Sequence, residues 1–126
     1  MNIFLWGLQV LLAVAFLAHG WLFLSPPASM VEVMNASIRP AFRTFIGLAE
    51  VLAAVGLTLP GITRVLPWLI SYAAAGLMIV MVSATIFHTI RGEIGSAITT
   101  AILFVLIAFV AYMRWKVKPI LPRTVA

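Results

Sequence analysis

The sequence contains no cysteine and very little charge. Without cysteine, the chain has no disulfide bonds, no thiol redox chemistry and no cysteine metal site. Only 9% of the 126 residues are charged, whereas an average soluble domain carries about 25%. A small soluble domain leaves much of its surface exposed, so it could not hide a composition that is 64% hydrophobic. These shortages exclude a soluble enzyme and a disordered chain.

The net charge of +5 does not indicate a nucleic-acid partner. The eight Lys and Arg residues are few, and half of them lie at the C-terminal end of the chain. Membrane proteins typically carry their charge in this way, outside the apolar segments. The mean hydropathy of +1.20 agrees with that interpretation. The sequence therefore predicts the lipid bilayer as partner and excludes nucleic acid.

Four stretches reach the roughly 20 mostly apolar residues that a spanning helix needs. They cover about residues 3–24, 40–59, 65–90 and 96–115. None alternates polar and apolar residues as a membrane strand does, and a span must pair its own backbone groups, which favours helices. We therefore predict an all-α, integral membrane four-helix antiparallel bundle. It forms a single transmembrane domain over residues 1–126, and the first segment is a retained helix.

Proline and glycine mark the breaks between these spans. Pro60-Gly61 is predicted to end the second span, and Pro67 to lie in the first turn of the third. Arg91-Gly92-Glu93 is predicted to form the turn before the fourth span. Only the loop of residues 25–39 is long, and its apolar residues predict a short interfacial helix over the mouth of the bundle.

The distribution of Lys and Arg predicts the orientation in the membrane. Four spans place both termini and the second loop on one side. That side carries Arg64, Arg114, Lys116, Lys118 and Arg123, whereas the other side carries Arg39, Arg43 and Arg91. Because positively charged loops stay in the cytoplasm, we expect a multi-pass protein of the cell membrane with both termini cytoplasmic.

Four ionisable side chains lie inside or at the edge of the predicted spans: His19, Arg43, Glu50 and His88. Such groups are costly in hydrocarbon, so they usually face the bundle interior and mark function. With a rise of about 1.5 Å per residue, all four fall in the extracytoplasmic half. We therefore predict a shared pocket beneath the 25–39 loop, in which Glu50 pairs with Arg43 or a histidine.

The predicted roles follow from the chemistry of these groups. Glu50, His19 and His88 are candidate catalytic residues, because a carboxylate and imidazoles can carry protons. Arg43, His19 and His88 are candidate cofactor-binding residues, because they can donate hydrogen bonds. Structural alternatives exist for each one: Arg43 snorkelling to the headgroups, His19 bonding a backbone carbonyl, His88 as an interfacial residue and Glu50 fixing the bundle. A metal site built from the two histidines and Glu50 is conceivable, but no metal ligand is predicted.

The spacing of these residues resembles the DoxX-like family of small four-helix membrane proteins. The similarity rests on Arg43-x-x-x-Gly47-x-x-Glu50 followed by Gly56-Leu57 and Pro60, on His88 before Arg91-Gly92-Glu93, and on His19-Gly20. The resemblance implies a four-helix bundle with its polar cluster near the extracytoplasmic side. Relatives are linked to thiosulfate:quinone oxidoreductase and to membrane complexes that handle oxidative stress, and a eukaryotic branch resembles a receptor-assembly chaperone. A thiol-based role cannot apply to a chain without cysteine.

Three functions are compatible with these sequence features. The first is a subunit that binds a quinone or another small lipophile in a membrane oxidoreductase system, with a protein partner in the redox complex supplying electrons. The second is a non-catalytic membrane scaffold or assembly chaperone. The third is a cofactor-free acid/base enzyme acting on a lipid. The sequence leaves open whether the protein is an enzyme and whether it forms a homo-oligomer.

Overall fold

A computed structural model describes residues 1–124 of the chain and shows an all-helical protein. The last two residues of the predicted domain lie outside the described part. Five α-helices are followed by a short π-helical turn at the C-terminal end. Their bounds are α1 Asn2–Leu24, α2 Ala28–Ser37, α3 Pro40–Thr63, α4 Leu69–Ile90, α5 Ile94–Tyr112 and the π-helical turn Met113–Val117.

Four of these helices have the length and composition to cross a membrane, the π-helical turn extending the last of them to Val117. Only 17 to 33% of the residues in their most apolar windows are buried inside the protein. Large apolar side chains such as Ile3, Ile79 and Ile90 therefore point outward, with 70 to 89% of their surface exposed. An apolar exterior of this extent suits lipid and not water. The predicted all-α membrane bundle is confirmed, and the protein is a multi-pass membrane protein.

The spanning helices pack in the order α1, α3, α4, α5, each antiparallel to its neighbour. A core of side chains such as Leu12, Leu57, Leu77 and Ile107 fills the space between them. The helices α1 and α5 make few contacts with each other, so the ring of helices is not closed along its whole length. We call the end with both chain termini the termini end and the opposite end, with α2, the cleft end.

The helices α1 and α3 approach each other closely at Gly20 and Gly47. A Cβ atom added to Gly20 would lie 2.8 Å from the carbonyl oxygen of Gly47, and one added to Gly47 would lie 2.9 Å from that of Gly20. A side chain larger than hydrogen would force the two backbones apart at these positions. Small residues, glycine above all, commonly allow such close helix packing in membrane bundles. This crossing fixes how α1 and α3 face each other at the cleft end.

The prediction that Pro60-Gly61 ends the second span is wrong, because α3 continues through Pro60 to Thr63. Proline is tolerated inside membrane helices, where neighbouring groups compensate for the missing N–H. The helix ends instead at Arg64, which adopts a left-handed conformation with φ of 58°. The next helix begins at Leu69, so Pro67 lies in the connecting turn and not in the first helical turn.

The connections at the cleft end follow the predictions more closely. The long loop contains the helix α2, none of whose residues is buried. The turn between α4 and α5 is made by residues 91–93, where Gly92 has a φ of 73°. This left-handed conformation is available to glycine at little cost. Both segments lie beside the opening of the cleft described below.

Candidate functional site

A large cleft occupies the cleft end of the bundle, with a volume of about 1360 Å³. All four spanning helices and the end of the long loop contribute to its walls. Its polar and ionisable lining residues are His19, Ser37, Arg39, Glu50, Ser83, His88, Ser96, Thr99 and Thr100. The remaining lining residues, including Phe16, Phe45 and Leu103, are mostly apolar. The cleft is therefore an apolar chamber with a few ionisable groups.

Glu50 and His19 form a hydrogen-bonded pair in the wall of this cleft. The Nδ1 atom of His19 lies 2.5 Å from Oε2 of Glu50. The Glu50 side chain is only 1% exposed, whereas that of His19 is 48% exposed. The second carboxylate oxygen, Oε1, is buried and has no hydrogen-bond partner among residues 1–124. The pair thus links a buried carboxylate to an accessible imidazole.

The glycine crossing explains why these two side chains meet. His19 directly precedes Gly20 on α1, and Glu50 lies three residues, almost one turn, after Gly47 on α3. The close approach of the two backbones brings both side chains within hydrogen-bond distance. The ring of Phe23, with its centroid 4.4 Å from that of His19, packs against the imidazole and restricts its orientation. Of the predicted partners of Glu50, Arg43 or a histidine, the structure shows the histidine His19.

His88 lies at the rim of the same cleft but pairs with a different carboxylate. Its Nδ1 atom is 3.2 Å from Oε2 of Glu93, and Arg91 donates from Nε to Oε1 of Glu93 at 2.5 Å. The hydrogen bond from Arg91 holds the pKa of Glu93 below its ordinary value, with a further contribution from His88, although burial acts in the opposite direction. Arg91 also donates to Ser37 of α2 at 3.3 Å, which connects the rim to the loop helix.

Hydroxyl groups on α4 and α5 line part of the cleft, namely those of Ser83, Ser96, Thr99 and Thr100. Thr85 and Thr100 share a hydrogen bond of 2.8 Å across the two helices. Ser83 and Thr99 each donate to the backbone carbonyl four residues earlier. Because such hydroxyls use their proton on their own helix, they offer mainly acceptor oxygens to the cleft. The two imidazoles are the stronger candidates for donating a hydrogen bond to a ligand.

Arg43 is placed differently from the other three predicted residues. It is 9% exposed and is not part of the cleft lining. Its Nη1 atom donates to the backbone carbonyl of Phe23 at 2.5 Å. That carbonyl belongs to the last turn of α1, where helix acceptors lack an intrahelical donor. In the structure Arg43 caps α1, and its role in cofactor binding stays a prediction.

The four predicted residues do not form a metal site. Within residues 1–124, no three His, Asp or Glu side chains gather as metal ligands would. His19 and Glu50 form one pair, and His88 joins Glu93 in another. The cleft therefore presents two separate histidine–carboxylate pairs, one deep and one at the rim.

Sequence reasoning missed a second buried polar cluster, at the termini end. Gln9, which is fully buried, donates to the carbonyl of Leu57 at 2.6 Å and accepts from Nε of Arg114 at 2.6 Å. Nη1 of Arg114 donates to Asn2 at 2.7 Å and to the carbonyl of Lys118 at 3.0 Å. The available signal is a glutamine inside an apolar run, but glutamine is uncharged and so marks a buried cluster less clearly than an ionisable residue does.

The comparison with protein families gives a match over most of the chain. The model described as the DoxX-like family matches residues 7–110, which is most of the chain. The match includes both members of the deep pair and His88, and it ends before Arg114. Searches of curated proteins and of solved structures found no match.

Proposed function

The chain belongs to the DoxX-like family, and on that premise we propose that its cleft binds a quinone or a similar small lipophile. In this proposal the protein is a subunit of a membrane oxidoreductase system, and the deep pair of His19 and Glu50 handles protons at the bound ligand. The observation that carries the proposal is the exposure difference within that pair. Glu50 is buried while His19 borders the cleft.

The dimensions and lining of the cleft support a lipophilic ligand. Its volume of about 1360 Å³ exceeds the range of about 300–1,000 Å³ that is usual for small-molecule sites. The walls are mostly apolar, with few polar groups to orient a ligand. A head group with hydrogen-bonding oxygens and an apolar tail matches this combination. A quinone would supply carbonyl oxygens that accept both electrons and protons.

His19 is suited to donate a proton to such an oxygen. Its Nδ1 atom is held by Glu50, which leaves Nε2 as the ring atom for a ligand. When the imidazole is protonated, Nδ1 donates to the carboxylate and Nε2 donates to the ligand oxygen. After Nε2 releases its proton, Glu50 still holds the remaining N–H at Nδ1, and so fixes one tautomer.

Glu50 also provides a second acceptor for proton exchange. Oε1 is buried without a partner among the described residues, and an unpaired carboxylate oxygen in a membrane interior is costly. A ligand hydroxyl, a water molecule or a transient proton would each satisfy it. A carboxylate that only fixed the bundle would gain nothing from leaving one oxygen unpaired.

The electrons in this proposal come from a protein partner. The chain has no cysteine to hold an iron–sulfur cluster. The chain's own contribution is therefore ligand binding, orientation and proton transfer.

Quinone binding by Glu50→Gln and Glu32→Gln proteins tests the proposal. Purified protein in mild detergent is extracted for bound quinones and titrated with short-chain benzoquinone and naphthoquinone. We expect Glu50→Gln to weaken binding by about tenfold or more, because a charge-assisted hydrogen bond is lost. Glu32→Gln is the matched control: Glu32 lies exposed on α2 and does not line the cleft, so binding should be unchanged.

The same experiment distinguishes quinone binding from the alternative function of a non-catalytic scaffold. The deep pair joins α1 to α3, which is also what a structural lock would do. If neither quinone binds, none is extracted, and Glu50→Gln unfolds the bundle, then the pair is structural. Equal quinone binding by both variants would also contradict the proposal, because it would show that the carboxylate of Glu50 plays no part in binding.

We further propose that both termini are cytoplasmic, which places the cleft in the extracytoplasmic half. The support is the uneven Lys and Arg distribution. A single cysteine at Ser29 on α2 should react with a membrane-impermeant maleimide added outside intact cells. A single cysteine at Thr124 should react only after the cells are opened. The native chain, which has no cysteine, is the unlabelled control, and the reverse labelling pattern would overturn this orientation.

A further inference from the structure

The charges of this protein are separated between the two ends of the bundle. The three acidic side chains, Glu32, Glu50 and Glu93, all lie in the half towards the cleft end. The termini end carries five basic side chains, and no acidic side chain in the sequence lies near it. These are Arg64, Arg114, Lys116, Lys118 and Arg123. Within residues 1–124, no ion pair with Glu neutralises this end.

Arg114 is the innermost of these basic residues and is only 5% exposed. Each acceptor that it reaches is neutral: the side chains of Gln9 and Asn2 and the carbonyl of Lys118. Its Nη2 atom is buried and has no hydrogen-bond partner among residues 1–124. A buried charge with neutral partners keeps its field, because little water is present to screen it.

The C-terminal segment brings further positive charge to the same place. Arg64 donates from Nε to the carbonyl of Leu121 at 2.9 Å and from Nη2 to the carbonyl of Pro122 at 3.3 Å. The backbone N–H of Arg123 donates to the carbonyl of Arg64 at 2.8 Å. These bonds hold Arg123 beside Arg64. Four basic residues are thus exposed on one face, above the buried guanidinium.

Aromatic residues place this face at the level of lipid headgroups. Trp68, just before α4, and Trp115, in the π-helical turn after α5, are both exposed. Tryptophan at such positions marks the boundary between hydrocarbon and headgroups. Lys116 lies over the ring of Trp115, with its Nζ atom 4.3 Å from the ring centroid. The ammonium group is therefore at the depth where lipid phosphates lie.

We propose that the termini end binds the phosphate groups of anionic membrane lipids. Lys116 and Lys118 contact the headgroups, together with Arg64 and Arg123. Arg114 does not contact the lipid but adds an unneutralised positive potential from beneath. The site is distinct from the cleft, lies at the opposite end of the helices and does not depend on what the cleft binds. It operates in whichever leaflet the termini face.

Lipid retention by the purified protein tests the proposal. The whole protein in mild detergent is mixed with equal amounts of phosphatidylglycerol and phosphatidylcholine, and bound lipids are counted by native mass spectrometry. We expect phosphatidylglycerol to be retained preferentially. Each removed lysine should lower its affinity about fivefold, so that the double variant K116Q/K118Q loses roughly 25-fold. Arg39→Gln is the control, since it removes an exposed charge at the cleft end.

Three outcomes would overturn the proposal. The first is equal retention of the two lipids by the native protein. The second is an equal loss in Arg39→Gln and in K116Q/K118Q. The third is displacement of phosphatidylglycerol by inorganic phosphate at millimolar concentration, which would make the site one for free phosphate. Displacement by sodium chloride but not specifically by phosphate supports a lipid site, because the attraction between charges is screened by salt.

Discussion

Two buried polar clusters lie at opposite ends of this bundle, and only one of them borders a large cavity. At the cleft end, Glu50 pairs with His19, whose ring is 48% exposed and lines the cleft. At the termini end, Gln9 and Arg114 bond each other and are both buried. Neither residue of the second cluster lines the cleft.

The difference shows that burial of a polar group in a membrane protein does not by itself indicate a ligand site. The cluster of Gln9 and Arg114 connects α1, α3 and the C-terminal turn through bonds whose acceptors are all protein atoms. Each cluster leaves one polar atom without a partner among residues 1–124, Nη2 of Arg114 in the first and Oε1 of Glu50 in the second, but the imidazole of His19 also has an edge that is accessible from the cleft. The first arrangement specifies how helices pack, whereas the second can exchange protons with a bound molecule. The comparison can be tested by variants at each end.

Replacement of Gln9 by leucine should give the largest loss of stability. It removes the acceptor of Arg114 Nε, so a charged donor stays buried without a partner, at a cost of about 3 kcal/mol. Asn2→Ala is the graded control, since it also removes an acceptor of Arg114 but at an exposed position where water can replace it. Unfolding free energies from SDS titration of the purified protein would measure both. If the two variants lose the same free energy of unfolding, then burial does not make the bond from Arg114 to Gln9 more important than its bond to the exposed Asn2.

Gly20→Ala should give the next largest loss, because it acts on the backbone crossing beneath the deep pair. The added methyl group would lie 2.8 Å from the carbonyl oxygen of Gly47, and forced separation of packed elements costs about 1–3 kcal/mol. Gly7→Ala on the same helix is the matched control, since a Cβ there meets nothing within 4 Å. The same SDS titration compares them. Separation of the helices should also weaken quinone binding in Gly20→Ala and leave Gly7→Ala unaffected.

The sequence predicted the spanning helices well, because apolar composition and length decide them without tertiary information. It did not predict the end of α3, because packing can compensate for a proline inside a membrane helix. It named the pairing of Glu50 but left Arg43 and the histidines as alternatives. The choice depends on how α1 and α3 face each other, which is set by the glycine crossing. The catalytic and binding roles of His19, Glu50 and His88 remain predictions.

Glu50→Gln should change stability less than either variant above. The amide can still accept a hydrogen bond from Nδ1 of His19, so the expected loss is below about 1 kcal/mol. The pair borders a cleft, so a polar replacement also has room to find other partners. The outcome sharpens the comparison: Gln9→Leu should impair folding, whereas Glu50→Gln should impair binding in a folded protein. A loss of about 3 kcal/mol or more, as in a broken buried ion pair, would assign both clusters to the packing of the bundle.

The rim pair should give the smallest effect on stability, one that is present at neutral pH and lost at acid pH. The hydrogen bond from Arg91 lowers the pKa of Glu93 in the folded protein below its ordinary value of 4.5. A carboxyl group with a lowered folded pKa stabilises the fold above its unfolded pKa, and this contribution is lost as the pH falls below 4.5 through the folded value. Carbon-13 NMR of the Glu93 side chain should therefore show a midpoint below 4.5, and Arg91→Gln should move that midpoint upward. If Arg91→Gln leaves the midpoint where it was, the hydrogen bond from Arg91 does not hold the pKa of Glu93 down, and the rim pair contributes nothing to stability through Arg91.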